Sequence, residues 1–307
     1  MKTIGFDTSN YTTSIALFDG SDGINCSQLL PVKPGELGLR QSDAVFSHTK
    51  SLPELSGRLF SHISADSICA VGVSTRPRAV DGSYMPCFMV GYTHAKLLSD
   101  TLHVPLFEFS HQQGHVAASL WSAAHLELMD EPHLAWHLSG GTTELLLVEP
   151  EGKNVRCTKI GGTTDISAGQ LIDRTGKLLD LPFPSGKHLD ALSQSAQGRE
   201  VFKVKCPAME FSLSGVQNKV EAFYRNNGDG AETAAYALRC VCAAVMQASK
   251  NALKAYPGLR IVFSGGVASN SMLRRELESL DPIFSEPQYS TDNAMGIAVL
   301  TARAMEG

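Results

Sequence analysis

Two histidines four residues apart, in Ser110-His111-Gln112-Gln113-Gly114-His115, are the residues of this chain best suited to chemistry. On a helix that spacing turns both imidazoles to one face, a common way to grip a transition metal. The plain alternative is a pair of partly exposed surface histidines. A zinc peptidase would need Glu at position 112 as general base, and Gln112 accepts no proton at neutral pH, so peptidase chemistry is disfavoured. Two imidazoles leave an ion under-coordinated and call for an oxygen ligand from elsewhere. Asp292, in Ser290-Thr291-Asp292-Asn293-Ala294, is a candidate, because an Asp before a helix of small residues either points into a cleft or caps the helix.

A second kind of chemistry is suggested by turns of small residues that follow apolar runs. The first, Asp7-Thr8-Ser9 with Thr12-Thr13, lies between Ile4-Gly5-Phe6 and the run Ile15 to Phe18. The second, Ser139-Gly140-Gly141-Thr142-Thr143, separates Leu134 to Leu138 from Leu145 to Val148. The third, Ser264-Gly265-Gly266, follows Ile261-Val262-Phe263 and leads through Ala268-Ser269-Asn270 into a helix. The first two read as hairpins and the third as strand, turn and helix start. Such turns let backbone amides and hydroxyls converge on a phosphate, which makes Asp7, Thr8, Ser9 and Thr12 candidate phosphate contacts. Taken singly, each is as well explained as a connection between strands. No GxxxxGK[ST] or GxGxxG is present, which excludes a P-loop and disfavours a dinucleotide fold.

The elements that must position these groups follow from periodicity. Helices are expected at 116–129, 168–179, 231–255 and 292–305, and strands at 69–74 and 134–138. Strands before helices, repeated across two halves, indicate an α/β chain with two lobes. The expected division is an N-terminal lobe of residues 1–109 and a C-terminal lobe of 110–293, with a C-terminal helix of about 294–307 a candidate to return to the first. A polar, partly basic loop is expected over 197–207. The chain has 307 residues, 43% hydrophobic and 19% charged, enough for a sizeable core. Its net charge of −5 gives no general attraction to nucleic acid or anionic lipid. Seven cysteines without a CxxC pair argue against a disulfide framework and a structural zinc site. No membrane span or signal peptide is visible, and the expected setting is cytoplasmic.

With its turns in this order, the chain resembles the actin-like ATPase superfamily. More closely, it is similar to the TsaD family, which transfers a threonylcarbamoyl group to tRNA and was once labelled a glycoprotease. The similar segments, in order, are the strand Ile4 to Phe18, His111 and His115, Ser139-Gly140-Gly141-x-Thr143, and Ala168-Gly169 through Asp173-Arg174-Thr175-Gly176-Lys177 to Gly186. Phe211-Ser212-x-Ser214-Gly215, Ser264 to Asn270 and Thr291-Asp292-Asn293 complete the set. The resemblance implies an α/β actin-like ATPase fold with two lobes around a nucleotide cleft. It implies one iron or zinc ion on His111, His115 and Asp292. It also implies threonylcarbamoyl-AMP, or another ATP- or AMP-type nucleotide, on Ser139, Gly140, Gly141, Thr142, Thr143, Asp173, Gly186, Asp190 and Asn270. The implied partners are tRNA and TsaB-like and TsaE-like proteins.

The chain also departs from that pattern. The family's Asp-Glu pair after the first strand is Tyr11-Thr12 here, and Thr142 replaces a His. Ile166 and Gln170 stand where the family has Asp and Glu, and Thr75-Arg76-Pro77-Arg78 replaces a glycine-rich loop. Arg76 and Arg78 are candidates to clamp a phosphate. Thr12 is a poor substitute for a general base, so the catalytic residue is left unassigned. Two further functions stay open: a related enzyme with another acceptor or an ATP hydrolysis cycle, and a non-catalytic nucleotide-binding partner of a genuine TsaD.

Overall fold

The computed structural model describes residues 1–9, 11–31 and 39–306, so Asn10 of the first turn lies outside the described residues. In chain order the main elements are β1 (Lys2–Asp7), β2 (Thr12–Phe18), β3 (Gly23–Leu29), α1 (Gln41–Phe60), β4 (Ile68–Arg76), α2 (Phe88–Leu102), β5 (Leu106–Ser110) and α3 (His111–Ser122). There follow β6 (His133–Leu138), β7 (Thr143–Glu151), β8 (Asn154–Thr163), α4 (Ala168–Leu178), α5 (Gly186–Ser193), β9 (Glu210–Phe211), α6 (Ser214–Asn227) and α7 (Gly230–Ala255). The chain ends with β10 (Ile261–Ser264), α8 (Ser271–Leu277), β11 (Ile283–Phe284) and α9 (Met295–Met305).

Two sheets share one plan. In the first, of order β3-β2-β1-β4-β5, β1 pairs antiparallel with β2 and parallel with β4. In the second, of order β11-β10-β6-β7-β8-β9, β6 pairs antiparallel with β7 and parallel with β10. The first two turns therefore close hairpins, and the third joins a parallel strand to a helix.

Contacts divide the chain into Met1–Glu131, Glu149–Cys157 and Asp292–Gly307 as one compact unit, and Pro132–Val148 with Thr158–Thr291 as the other. Residue 109, the expected boundary, falls inside the first unit, because α3 packs on α9, β4 and β5. Short segments seal the arrangement: Gln113 donates to Val155 O at 2.8 Å, and Arg303 pairs with Asp130 at 2.6 Å.

The first unit buries Ile4, Phe6, Ile15, Val71 and Val73 of its sheet against Leu52, Leu55 and Leu59 of α1. Its other face is covered by α9 at very close range. A Cβ added at Gly5 would lie 2.5 Å from Ala294 O, and one at Gly296 would overlap the Gly114 carbonyl oxygen of α3. Only glycine permits such helix–helix and helix–sheet approach. The second unit is built around α7, capped by Asp229 accepting from the N–H groups of Ala231 and Glu232. Fourteen of its 26 residues are buried, most of them Ala or other small and β-branched types that let neighbours pack closely.

Helix α3 begins five residues earlier than its apolar periodicity suggests. Ser110 and Gln113 form a capping box, in which Ser110 Oγ accepts from Gln113 N and Gln113 Oε1 accepts from Ser110 N. The helix stops at Ser122, and a separate 3₁₀ turn, Leu126–Asp130, accounts for the rest of the expected span.

Gly296→Ala is expected to destabilise the fold by about 3 kcal/mol, since the overpacked contact has backbone on both sides. Gly57→Ala, at an exposed position in the last turn of α1 with nothing within 4 Å of an added Cβ, should instead stabilise by about 0.5–1 kcal/mol. Urea denaturation of the two variants checks both signs.

Candidate functional site

The first site is assembled inside the first unit from segments far apart in sequence. Because α3 starts at His111, His111 and His115 occupy one face of its first turns, with ring centroids 4.3 Å apart. The Gly114–Gly296 approach brings the chain before α9 beside them. His111 Nε2 and His115 Nε2 are 2.8 Å apart, and Asp292 Oδ1 lies 3.4 Å from the first and 3.2 Å from the second. Donors held about 2.0–2.1 Å from one ion and about 90–110° apart lie about 2.9–3.4 Å from each other. The three atoms therefore fit a single transition ion, with two nitrogens and one oxygen as donors. Asp292 does not cap α9, whose N-cap position is Ala294 without a side-chain cap; the neighbouring Asn293 Oδ1 accepts from Met295 N at 3.0 Å.

Asp7, expected as a phosphate contact, is instead 1% exposed with both oxygens engaged. Oδ2 is 2.7 Å from His111 Nδ1 and Oδ1 accepts from Ser9 N at 2.7 Å. This fixes Nε2 as the nitrogen that faces His115 and Asp292, the usual carboxylate–imidazole arrangement behind a metal ligand. Burial, the largest effect on His111, favours the neutral ring; the Asp7 charge and the hydrogen bonds to Asp292 and Asp7 outweigh it and push the pKa up to about 10. Burial likewise raises Asp292 and Asp7, and is outweighed by the histidines, which hold both carboxyls below their ordinary range. A buried and a half-buried carboxylate thus face two imidazoles, an arrangement that favours positive charge at this point.

Of the remaining first-turn residues, Ser9 Oγ lies 3.4 Å from His111 Nε2. Thr8 Oγ1 is taken by Cys87 O at 2.9 Å and Gly91 N at 3.0 Å, so it holds the start of α2 rather than facing a ligand. Thr12 is half-buried and its N–H closes the turn on Ser9 O. Arg76 ends β4 opposite Ser110 and Arg78 lies in the loop after it, where the Pro77 carbonyl accepts from Gln112 N at 3.1 Å beside the start of α3.

In the second unit, α4 gathers the turns implied in nucleotide binding. Its own capping box joins Ser167 to Gln170, so Gln170 does the reciprocal bonding that a Glu would do there. Ser167 Oγ donates to Gly140 O at 2.6 Å and Ala168 N to Thr143 Oγ1 at 2.8 Å, which seats the Ser139–Thr143 turn on the helix start. A Cβ at Gly169 would reach within 2.5 Å of Gly140 Cα. Thr142 N donates to Ser139 Oγ at 3.0 Å, while Gly140 and Gly141 stay exposed. Ile166 packs against the core.

Asp173, on α4, accepts from Ser185 N at 2.8 Å just before Gly186 opens α5, and burial raises its pKa. Asp190 accepts from Ser271 N at 2.9 Å and Ser271 Oγ at 2.8 Å, tying α5 to α8. Asn270 caps α8 by accepting from Leu273 N. Asp165, which sequence reasoning passed over, accepts from Ser212 Oγ, Ser214 Oγ and the N–H groups of Leu213 and Ser214. These bonds hold its carboxyl below the usual range and organise the start of α6.

The chain is similar to known proteins in sequence and in fold. A sequence model of the TsaD family, described as tRNA N6-adenosine threonylcarbamoyltransferase, matches residues 38–299. The tRNA N6-adenosine threonylcarbamoyltransferase of Carboxydothermus hydrogenoformans is 31% identical over 264 residues, covering 82% of this chain and 75% of that protein. Among solved structures, component A of the Acidaminococcus fermentans (R)-2-hydroxyglutaryl-CoA dehydratase superposes over 100% of both chains with a TM-score of 0.60 at 15% identity. The ROK hexokinase of Thermus thermophilus does so over 100% of both at 0.54 and 15%. Full-length HypF in its phosphate- and nucleotide-bound form matches 100% of this chain and 47% of its own, with a TM-score of 0.64 at 14% identity, so the chain spans about half of HypF. The fold is that of the actin-like ATPases.

Elemental analysis of the purified chain is expected to find about one divalent transition ion per molecule, and His111→Ala or Asp292→Ala to lose it. Asp7→Asn should keep the ligands but weaken the affinity about 10–100-fold, read by competition with a chromogenic chelator.

Proposed function

This chain belongs to the TsaD family of tRNA N6-adenosine threonylcarbamoyltransferases, and from that premise we propose that it transfers threonylcarbamoyl from threonylcarbamoyl-AMP to the adenosine beside the anticodon of tRNA. The observation that carries this reading is the convergence of His111, His115 and Asp292 within 4.8 Å, with Asp7 behind His111. These residues would hold an iron or zinc ion. Bound there, the ion supplies Lewis-acid polarisation of a carbonyl or phosphoryl oxygen. The exposed backbone of Gly140 and Gly141, on the N-terminus of α4, receives the phosphate or acyl part of the adenylate. Asp173 and Asp190 accept from the ribose hydroxyls with lone pairs left over from Ser185 and Ser271, and Asn270 faces the nucleoside.

In the reaction, the exocyclic amine of the acceptor adenosine bonds to the carbamoyl carbon as the bond from that carbon to the phosphate oxygen breaks. The amine must also lose a proton. Thr12 offers no base, and Asp7 is committed to His111 and Ser9. The proton passes instead to the departing AMP phosphate, whose second ionisation lies near about 6. Tyr11-Thr12 favours a second reading as well: a related protein with the same binding groups that serves another acceptor, hydrolyses ATP, or acts as a nucleotide-binding partner of a TsaD enzyme. Partnership with TsaB-like and TsaE-like proteins belongs to the first reading, and the exposed Phe46, Met89 and Leu97 of α1 and α2 supply apolar contact surface for one. A cytoplasmic setting belongs to it too. Among the described residues, no helix is long and apolar enough to cross a membrane.

The test replaces TsaD with this chain in a mixture of threonylcarbamoyl-adenylate synthase, TsaB and TsaE, and follows labelled threonine into ANN-decoding tRNA. Incorporation that His111→Ala reduces by about 10²-fold or more is expected. No incorporation beside a working TsaD control overturns the transfer reading and selects the second.

A further inference from the structure

Residues 196–206 form neither helix nor strand, yet the segment is fastened along α7. Glu232 accepts from the N–H groups of Gln197 at 2.7 Å and Gly198 at 2.9 Å. Two turns on, Arg239 donates through Nε to Glu200 O at 2.8 Å and through Nη1 to Gly198 O at 2.7 Å. Phe202 N donates to Cys240 Sγ at 3.3 Å, and Asn251 donates to the carbonyls of Cys206 and Ala208. The fastened segment walls a cavity of about 610 Å³ that also faces α7, α8 and the end of α5. None of its lining residues belongs to the Ser139–Thr143 turn or is Asp173, Gly186, Asp190 or Asn270. Gln194 forms the partition, donating to Ser271 Oγ at 3.0 Å and Asp190 Oδ1 at 3.3 Å.

The chemistry of the walls is divided. Cys242, Ala243, Met246 and Met272 give an apolar floor, and burial pushes the Cys242 thiol far above its ordinary range, so the floor carries no charge. Arg199, Arg239 and Arg275 line the same space, against one acid, Glu276. Arg239 is committed to the wall itself: Nε and Nη1 hold the segment, and the buried Nη2 pairs with Glu232 at 3.8 Å. Arg275 makes no hydrogen bond or ion pair among the described residues. A guanidinium fork with open donors beside apolar sulfur and methyl groups matches an anion on an apolar body. The volume suits a small molecule of that kind.

We propose that this cavity is a second ligand site, for a small carboxylate with a short apolar tail, its charged end on Arg275 and its tail over Met246 and Met272. The site stands whether or not the chain transfers threonylcarbamoyl. Its test uses the full-length chain with anilinonaphthalenesulfonate as the fluorescent probe and octanoate as competitor. Fluorescence should rise to saturation at one probe per chain, octanoate should displace it, and inorganic phosphate at equal concentration should not. Arg275→Glu, at an exposed position of α8, should weaken the probe by about tenfold with circular dichroism and metal content unchanged, while Arg275→Lys stays within about threefold. Ala243→Leu, which fills the floor, should reduce binding as well; if it fails to fold, Arg275→Glu decides. Binding unchanged in Arg275→Glu, or phosphate competing as well as octanoate, overturns the proposal.

Discussion

The close approach of α3 and α9 at Gly114 and Gly296 is the constraint on which the first unit depends. With no Cβ at either position, the Gly296 turn rests on the carbonyl of Gly114 within the two turns that carry His111 and His115. Larger residues would move α9 outward, and Asp292 with it, by more than the tolerance of a ligand set whose donor atoms are 2.8–3.4 Å apart. The same helix lies on Gly5 of β1, two residues before Asp7. One packing decision therefore sets three things at once: the third ligand, the residue that orients the first ligand, and the seal over the sheet. Burial then raises the stakes, because carboxylates and imidazoles removed from water must satisfy one another or a cation.

The second unit adds hydrogen bonds to a glycine contact of its own, that of Gly169 on Gly140. Helix α4 begins with a capping box, and the same serine that caps it also holds the carbonyl of Gly140. A glutamine suffices for this, since capping uses the amide oxygen as an acceptor and needs no charge. The positions at which the chain departs from its family are thus of two physical kinds. Gln170 and Ile166 keep or replace a structural task, in a cap and in a core. Tyr11, Thr12 and Thr142 instead stand where the resemblance implies groups that accept protons.

Much of this was legible in the sequence. Two turns of small residues between apolar runs became hairpins, and the i, i+4 spacing of the histidines became a shared face. The start of α3 was missed because apolar periodicity begins at Val116, whereas the capping box Ser110-x-x-Gln113, a local polar signal, marks the true start. The role of Asp7 could not be read, because its partner is 104 residues away in sequence. Asp292 was ambiguous between ligand and cap; the structure sets its Oδ1 3.2 Å from His115 Nε2, and α9 has no side-chain cap. The loop expected over 197–207 was visible as polar sequence, but the arginine and glutamate that fasten it belong to a helix whose own pattern predicts only amphipathic packing.

Under the proposed reading, an ion held on His111, His115 and Asp292 and the absence of a base at Thr12 are compatible within one chemistry. A metal centre requires its geometry in full: removing one of three ligands lowers affinity and leaves a buried charge uncompensated. A general base contributes only about 10²–10⁴ in rate, and a leaving phosphate can take its proton without any side chain. Loss of the acidic pair is therefore a graded change in rate, whereas loss of His111, His115 or Asp292 would dismantle the site. Under the proposed reading the chain would act at another rate or on another acceptor while holding an ion, and Asp7, buried behind His111, would orient that candidate ligand.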